Sequence, residues 1–197
     1  FHNFKVGRNF LIVPSWEYAD VEIANSDKVI KIDPGMAFGT GDHATTSLCL
    51  TFLEDVIKPS DKVIDVGTGS GILAIGAYLL GARNIKATDI DELSLQVSKE
   101  NFALNDCGED ITVMPADLLK DETENYDVVV ANILAHIIDD MIDDAYKLLN
   151  DNGRFIASGI IVEKRDEIIT HMKAAGFSIT DVLEEDGWVA ILALKVT

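Results

Sequence analysis

The residues best suited to chemistry stand at the ends of apolar runs: Asp65 with Gly67, Gly69 and Gly71, then Asp89, Asp117 and Asn132. The first four lie in Val63-Ile64-Asp65-Val66-Gly67-Thr68-Gly69-Ser70-Gly71-Ile72-Leu73, which reads as strand, tight turn and helix. Glycines in such a turn let the backbone bend sharply and let a ligand approach with no Cβ in the way. A dinucleotide site wants G-x-G-x-x-G, with its third glycine at position 72; Ile72 stands there, and the sequence reads G-x-G-x-G instead. Asp89 lies 22 positions after Gly67 and directly follows the next strand-like run. An acid about 20 residues on commonly accepts hydrogen bonds from ribose hydroxyls. Asp91 competes for that role and could instead cap the following helix. Asn132 comes where the apolar run Asp127–Ala131 opens out. Its amide oxygen can accept a hydrogen bond from an attacking nitrogen and aim the lone pair; its structural alternative is a helix cap. His43 is the candidate base, because histidine titrates near neutrality, with loop hydrogen bonding as its alternative. His2, His136 and His171 have no companions that suggest a metal. Cys49 and Cys107 stand far apart in no metal-binding spacing and read as core residues, so no metal is expected.

The elements that must position these residues follow from periodicity. From Lys62 onward strands and helices alternate. Strands are expected at Val63–Val66, Ile85–Thr88, Ile111–Met114, Asp127–Ala131 and Arg154–Ala157, with helices at about 71–80, 92–105, 134–149 and 162–175. Such alternation implies an α/β fold with a parallel sheet and right-handed crossovers. Phe177–Leu183 and Trp188–Val196 flank the turn Glu184-Glu185-Asp186-Gly187 with no helix between them, which predicts an antiparallel hairpin at one sheet edge. Before the alternation come a helix from Thr45 to about Ile57, with Thr45 or a neighbour as its N-cap, and a glycine-rich loop from Gly35 to His43. Residues 1–34 hold the runs Phe10–Val13 and Val29–Ile32, expected to form a small antiparallel lead-in, and residues 35–197 form the main domain.

With 197 residues, 48% hydrophobic and 25% charged, the chain suits one globular domain. No run reaches the roughly 18 uncharged apolar residues of a membrane helix, and the N-terminus shows no signal peptide. A net charge of -18 repels phosphate backbones, so direct nucleic-acid binding is not expected, whereas a basic protein partner is compatible. The acids of Ile137–Asp144 could meet such a partner or simply be solvated. A cytoplasmic monomer is the expectation.

The G-x-G-x-G turn preceded by Asp65 resembles the cofactor loop of class I S-adenosylmethionine-dependent methyltransferases, with their Rossmann-like, mostly parallel seven-stranded sheet. In that class Asp65 would meet the cofactor's ammonium directly or through water, and Asp117 would accept from the adenine amino group, with a surface-turn aspartate as its alternative. Asp33-Pro34-Gly35-Met36-Ala37-Phe38-Gly39-Thr40-Gly41-Asp42-His43-Ala44-Thr45-Thr46, together with Asp65–Ile75 and Val129-Val130-Ala131-Asn132-Ile133-Leu134, is similar to the bacterial ribosomal-protein methyltransferase PrmA family. The resemblance covers nearly the whole chain. It implies methylation of lysine and N-terminal amino groups on a large-subunit ribosomal protein, with S-adenosyl-L-methionine contacts at Thr46, Gly67, Asp89 and Asn132. It also implies that the loop of Phe38 to His43 covers the cofactor and shapes the acceptor site. Family members carry a further N-terminal domain for substrate recognition, which is expected to be absent here. The alternatives are methylation of a nucleobase or small-molecule amine, or a cofactor-binding domain inactive without its recognition domain. Ile133-Leu134-Ala135 lacks the aromatic platform for a flipped base.

Overall fold

The computed structural model describes residues 2–33 and 43–196, with His43 described by its backbone alone. Phe38 and the His43 side chain therefore lie outside the described residues.

A small sheet comes first, from β1 (Phe4–Val6), β2 (Phe10–Pro14) and β3 (Lys28–Ile32), in the order β1-β2-β3. Only its first pair is antiparallel. β2 and β3 run parallel, with Phe10 opposite Lys28 and Pro14 opposite Ile32, which corrects the expected antiparallel lead-in. The reason is the connection. A 3₁₀ turn at Ser15–Asp20 and the segment to Asp27 carry the chain back to the start of β2 before β3 begins. Alternation predicts strands but not the direction of a crossover built from irregular backbone.

The remainder is α1 (His43–Val56), β4 (Lys62–Val66), α2 (Ile72–Leu79), β5 (Asn84–Asp89), α3 (Glu92–Leu104), β6 (Ile111–Pro115), β7 (Tyr126–Asn132), α4 (Ala135–Leu148), β8 (Leu149–Ile161), α5 (Arg165–Ala175), β9 (Ser178–Glu185) and β10 (Trp188–Leu194). The seven strands are ordered β6-β5-β4-β7-β8-β10-β9, parallel from β6 to β8, with β10 antiparallel to both neighbours. The α/β class, the mostly parallel seven-stranded sheet and the C-terminal hairpin are all as expected. The hairpin turns through Asp186 and Gly187, both at positive φ, which is the conformation of a two-residue turn with Asp-Gly at its centre.

Two cores sandwich the sheet. Val63, Ile85, Val128 and Val130 face α1 and α2, and the small sheet joins that same core through Phe10, Ile12, Ile30 and Ile32. Ile64, Val66, Val129 and Phe155 face α4 and α5. Strands covered on both sides explain the unbroken apolar run Val128–Ala131 of β7. The chain moves outward from β4 through β5 to β6, then returns to place β7 on β4's other side. The reversal between β4 and β7 opens a crevice at their C-terminal ends, where ligands of open α/β sheets bind.

Three boundaries differ from expectation. α1 begins at His43, so Thr45 lies in its first turn and is not its cap. β8 spans Leu149–Ile161 although Asn150-Asp151-Asn152-Gly153 reads as a turn, because that segment stays paired with Lys195 beyond β10. The last expected helix splits into a 3₁₀ turn at Val162–Lys164 and α5.

α4 and α5 are tied at the surface by His171, whose ring nitrogens lie 2.8 Å from Asp139 and 3.2 Å from Asp143. The hydrogen bond to Asp139 leads in raising the histidine's pKa, against a smaller opposing effect of burial. A raised folded-state value means stabilisation that is complete below the unfolded value of about 6.5 and is lost as pH rises through the folded one. Thermal unfolding should thus separate the parent from His171→Asn most clearly below about pH 6.5 and show the gap closing as pH rises above it. A constant gap across that range contradicts the titration argument.

Candidate active site

The turn after β4 is built from residues that few other types could replace. Gly67, Gly69 and Gly71 all have positive φ, at 71°, 56° and 88°. A Cβ on Gly71 would fall 2.5 Å from the Phe102 ring, and one on Gly67 would fall 2.7 Å from Ile133 Cγ2. The G-x-G-x-G spacing thus answers both to backbone conformation and to the close packing of α3 and of the tip of β7.

Asp65 is buried at 1% exposure on β4. Its Oδ2 accepts a 2.7 Å hydrogen bond from the Thr68 hydroxyl, while Oδ1 has no hydrogen-bond partner among the described residues. Burial pushes its pKa up to about 7; the Thr68 bond opposes that rise, nearby Asp89 adds to it, and the backbone N–H of Ala74 opposes it weakly. A buried acceptor with an unused oxygen calls for a donor, and a cation is the donor that would also release the proton.

Asp89 ends β5 across the turn. Its Oδ2 accepts from Gly69 N–H and its Oδ1 from Asp91 N–H, both at 3.0 Å. A carboxylate has about four lone-pair sites, so both oxygens can accept further bonds after orientation by the backbone. Asp91 caps α3, accepting from Leu93 N–H at 3.2 Å and from the Ser94 hydroxyl at 3.2 Å. The competition between the two acids is thereby divided: one closes the turn, the other starts the helix.

Asn132 ends β7 on the other side of the crevice. Its amide nitrogen donates to Thr45 Oγ1 at 3.3 Å. Thr46 follows, buried in the first turn of α1. The structure therefore brings Asp65, the three glycines and Asp89 onto one turn, with Asn132 on the adjoining strand tip and Thr46 beside its partner. Asp117 is less engaged. It sits on the turn after β6, one residue beyond Ala116, whose N–H donates to the Asp89 carbonyl, and its carboxylate pairs with Lys120 at 2.9 Å on the exposed surface.

Sequence reasoning passed over several residues here. Asn101 on α3 donates to the carbonyls of Ser70 (2.8 Å) and Asp33 (3.0 Å) and accepts from Asp33 N–H. Asn105, one helical turn on, does the same for Lys31, accepting from its N–H and donating to its carbonyl. Two side-chain amides thus satisfy the backbone edge of β3 and fasten it to the glycine turn; the signal was a pair of asparagines at i, i+4 in a helix. Ile90, Met114 and Leu134 follow or end β5, β6 and β7, and they leave apolar side chains exposed at the rim, Ile90 by 75%. Exposed apolar side chains at the carboxyl ends of neighbouring strands suit a flat apolar ligand. Cys49 and Cys107 are buried, and no group of potential metal ligands occurs among the described residues.

The comparisons agree with this architecture. The family model described as "Ribosomal protein L11 methyltransferase (PrmA)" matches residues 1–196. Proteins named ribosomal protein L11 methyltransferase from Staphylococcus carnosus and Staphylococcus saprophyticus are 59% and 56% identical over 197 residues, all of this chain. The chain spans 63% of the length of each. A crystal structure of ribosomal protein L11 methylase from Lactobacillus delbrueckii superposes with a TM-score of 0.91 at 36% identity, covering 100% of this chain and 99% of that one. A match to nearly every residue, carried by relatives well above half identical, leaves one assignment: the chain belongs to the ribosomal protein L11 methyltransferase (PrmA) family.

Proposed function

We propose that this chain carries the methyl-transfer domain of an S-adenosylmethionine-dependent protein N-methyltransferase, in residues 35–197 with 1–34 as its β lead-in. Its acceptors are lysine and N-terminal amino groups of ribosomal protein L11. The observation that carries the reading is the buried Asp65 carboxylate with an unused oxygen beside the glycine turn. The methionine portion of S-adenosylmethionine brings an ammonium, which fits that orphaned acceptor. Family membership and the relatives' names supply the substrate. A net charge of -18 favours a basic protein over bare nucleic acid. Among the described residues no helix is long and apolar enough to cross a membrane; a ribosomal protein as acceptor supports the cytoplasm as the place of action, and a monomer is part of the proposal.

In this reading Asp65 holds the ammonium, Asp89 accepts from the ribose hydroxyls, and Gly67, Gly69 and Gly71 give the cofactor a backbone surface to lie on. Thr46 and Asn132 stand at the methionine end, Asp117 at the adenine. Phe38 and His43 border the acceptor. The cofactor supplies an activated methyl group, so the chain's own task is positioning. Asn132 accepts a hydrogen bond from the incoming amine and turns its lone pair toward the donor. A lysine acceptor must first be neutral, which at pH 7 costs about 4–5 kcal/mol for a free amine. Entry into a crevice away from water disfavours the charged amine and offsets part of that cost.

Two substitutions test the assignment. Asp89→Ala should weaken cofactor binding by about 10- to 100-fold by calorimetry, the loss expected for hydrogen bonds to a charged acceptor. Asn132→Ala should lower the rate of radiolabelled methyl transfer to L11 by about 100-fold while changing cofactor affinity far less. Unchanged affinity in the first, or equal losses of rate and affinity in the second, refutes the role concerned.

A further inference from the structure

Two elements meet at Asn132, on the tip of β7. α1 supplies Thr45, whose Oγ1 accepts from the Asn132 amide nitrogen. β8 supplies Ser158, which pairs with Asn132 in the parallel ladder, donates its hydroxyl to the Thr45 carbonyl at 3.1 Å and accepts Ile133 N–H on its own carbonyl at 3.2 Å. The next residue, Gly159, has φ +82° and lies where β8 slips register against β10 between Val189 and Ile191. A Cβ on Gly159 would fall 2.5 Å from the Ile133 carbonyl oxygen and 2.9 Å from Asn132 Oδ1. Such a contact is too close for any other residue, and the positive φ disfavours a side chain independently. Bulges of this kind bend a strand and re-aim the side chains beside an active site.

The two ends of an asparagine amide are nearly identical in shape and opposite in chemistry. Thr45 ties the nitrogen end. The oxygen end lies against the bare backbone of Gly159. Were the amide reversed, its N–H groups would face the acceptor amine, repelling the amine's own N–H groups or occupying the lone pair needed for attack. We propose, on the strength of the methyl-transfer reading above, that Gly159 and Thr45 are positioning residues of the reaction: Thr45 holds the amide nitrogen and Gly159 keeps the flank of Asn132 Oδ1 clear, so that the oxygen meets the incoming amine. Ser158 locks Thr45 in place from behind.

The test pairs kinetics with a readout of the amide itself. The Asn132 side-chain amide resonances, assigned by their loss in Asn132→Ala, should shift or broaden in Thr45→Val and Gly159→Ala and stay in place in Thr45→Ser. Methyl transfer to L11 should fall by about 10- to 100-fold in kcat for Thr45→Val, with the cofactor Kd within about threefold, and recover in Thr45→Ser, which keeps the hydroxyl. Gly159→Ala should behave like Thr45→Val; Thr45→Val is close to isosteric and guards against a folding defect at the bulge. Amide signals unmoved in Thr45→Val, or an affinity loss as large as the rate loss, overturn the inference. Absence of S-adenosylmethionine binding by the unsubstituted protein overturns the proposed function instead, and the amide signals report on the Asn132 contacts whether or not the cofactor binds.

Discussion

Asp65→Asn should lower the affinity for S-adenosylmethionine by at least about 100-fold and at the same time make the ligand-free protein more stable at neutral pH. The two effects share one cause. The carboxylate is sealed from water with the Thr68 hydroxyl as its one side-chain donor, so burial holds its pKa near 7. The ordinary value is about 3.9. Without ligand, the folded protein therefore keeps a proton that the unfolded chain has released. The stabilisation this gives is complete below about pH 4 and is lost as pH rises to about 7, a loss on the order of 4 kcal/mol. Asparagine keeps a partner for Thr68 and carries no such penalty. When the cofactor's ammonium enters, the charged carboxylate becomes the favoured form and a proton leaves. Affinity should then rise about tenfold per pH unit from about 5 to 7 and level off above, until the ligand's own amine loses its proton near pH 8. Removing the charge from a buried pair costs about 3–5 kcal/mol, which is about two to three and a half decades in Kd. Calorimetry in buffers of different ionisation enthalpy counts the proton directly. A parent protein that binds with no proton release at pH 6, or an Asn variant that keeps the slope, removes Asp65 from the ammonium site.

How much of this was legible beforehand depended on whether a feature was local. The glycine turn, Asp89 and the strand tip at Asn132 were readable because each is fixed by backbone periodicity within a few residues, and the order of an α/β sheet brings strand ends to one edge. The parallel pairing of β2 with β3 was not, since an irregular connection sets it. The partners of Asn132 come from 87 residues upstream in Thr45 and from β8 downstream, where Gly159 stands within an apolar stretch. An isolated glycine in a strand is a sign of a bulge or a close approach, and here it was both. Asn101 and Asn105 were hidden for a different reason: a polar pair on a helix reads as solvated until something across from it turns out to be a bare strand edge.

Glu122→Ala should reduce the unfolding free energy by about 3 kcal/mol, or about 10 °C in thermal midpoint. Glu122 lies on the connection between β6 and β7, the same connection that carries Asp117, and its side chain is only 8% exposed. Lys86 reaches it from β5 with Nζ 3.2 and 3.1 Å from the two carboxylate oxygens, and the Tyr126 hydroxyl donates to Oε1 at 2.6 Å. These bonds pin the loop across the face of the sheet. Deleting the carboxylate leaves a largely buried ammonium and a buried phenol without their acceptor, and that abandonment, more than the pair's own attraction, is the source of the cost. The figure sits at the low end for a broken buried pair because Lys86 retains 19% exposure and Glu124 stands 3.9 Å away as a second acid. The argument has a sharp consequence. Combining Glu122→Leu with Lys86→Met removes both charges and fills their volume, so the double variant should recover most of the lost stability, with Tyr126→Phe restoring more. Chemical denaturation of the set distinguishes the cases. If the double variant is as unstable as the sum of its parts, Glu122 and Lys86 are not coupled, and the loop that presents Asp117 is held by other contacts.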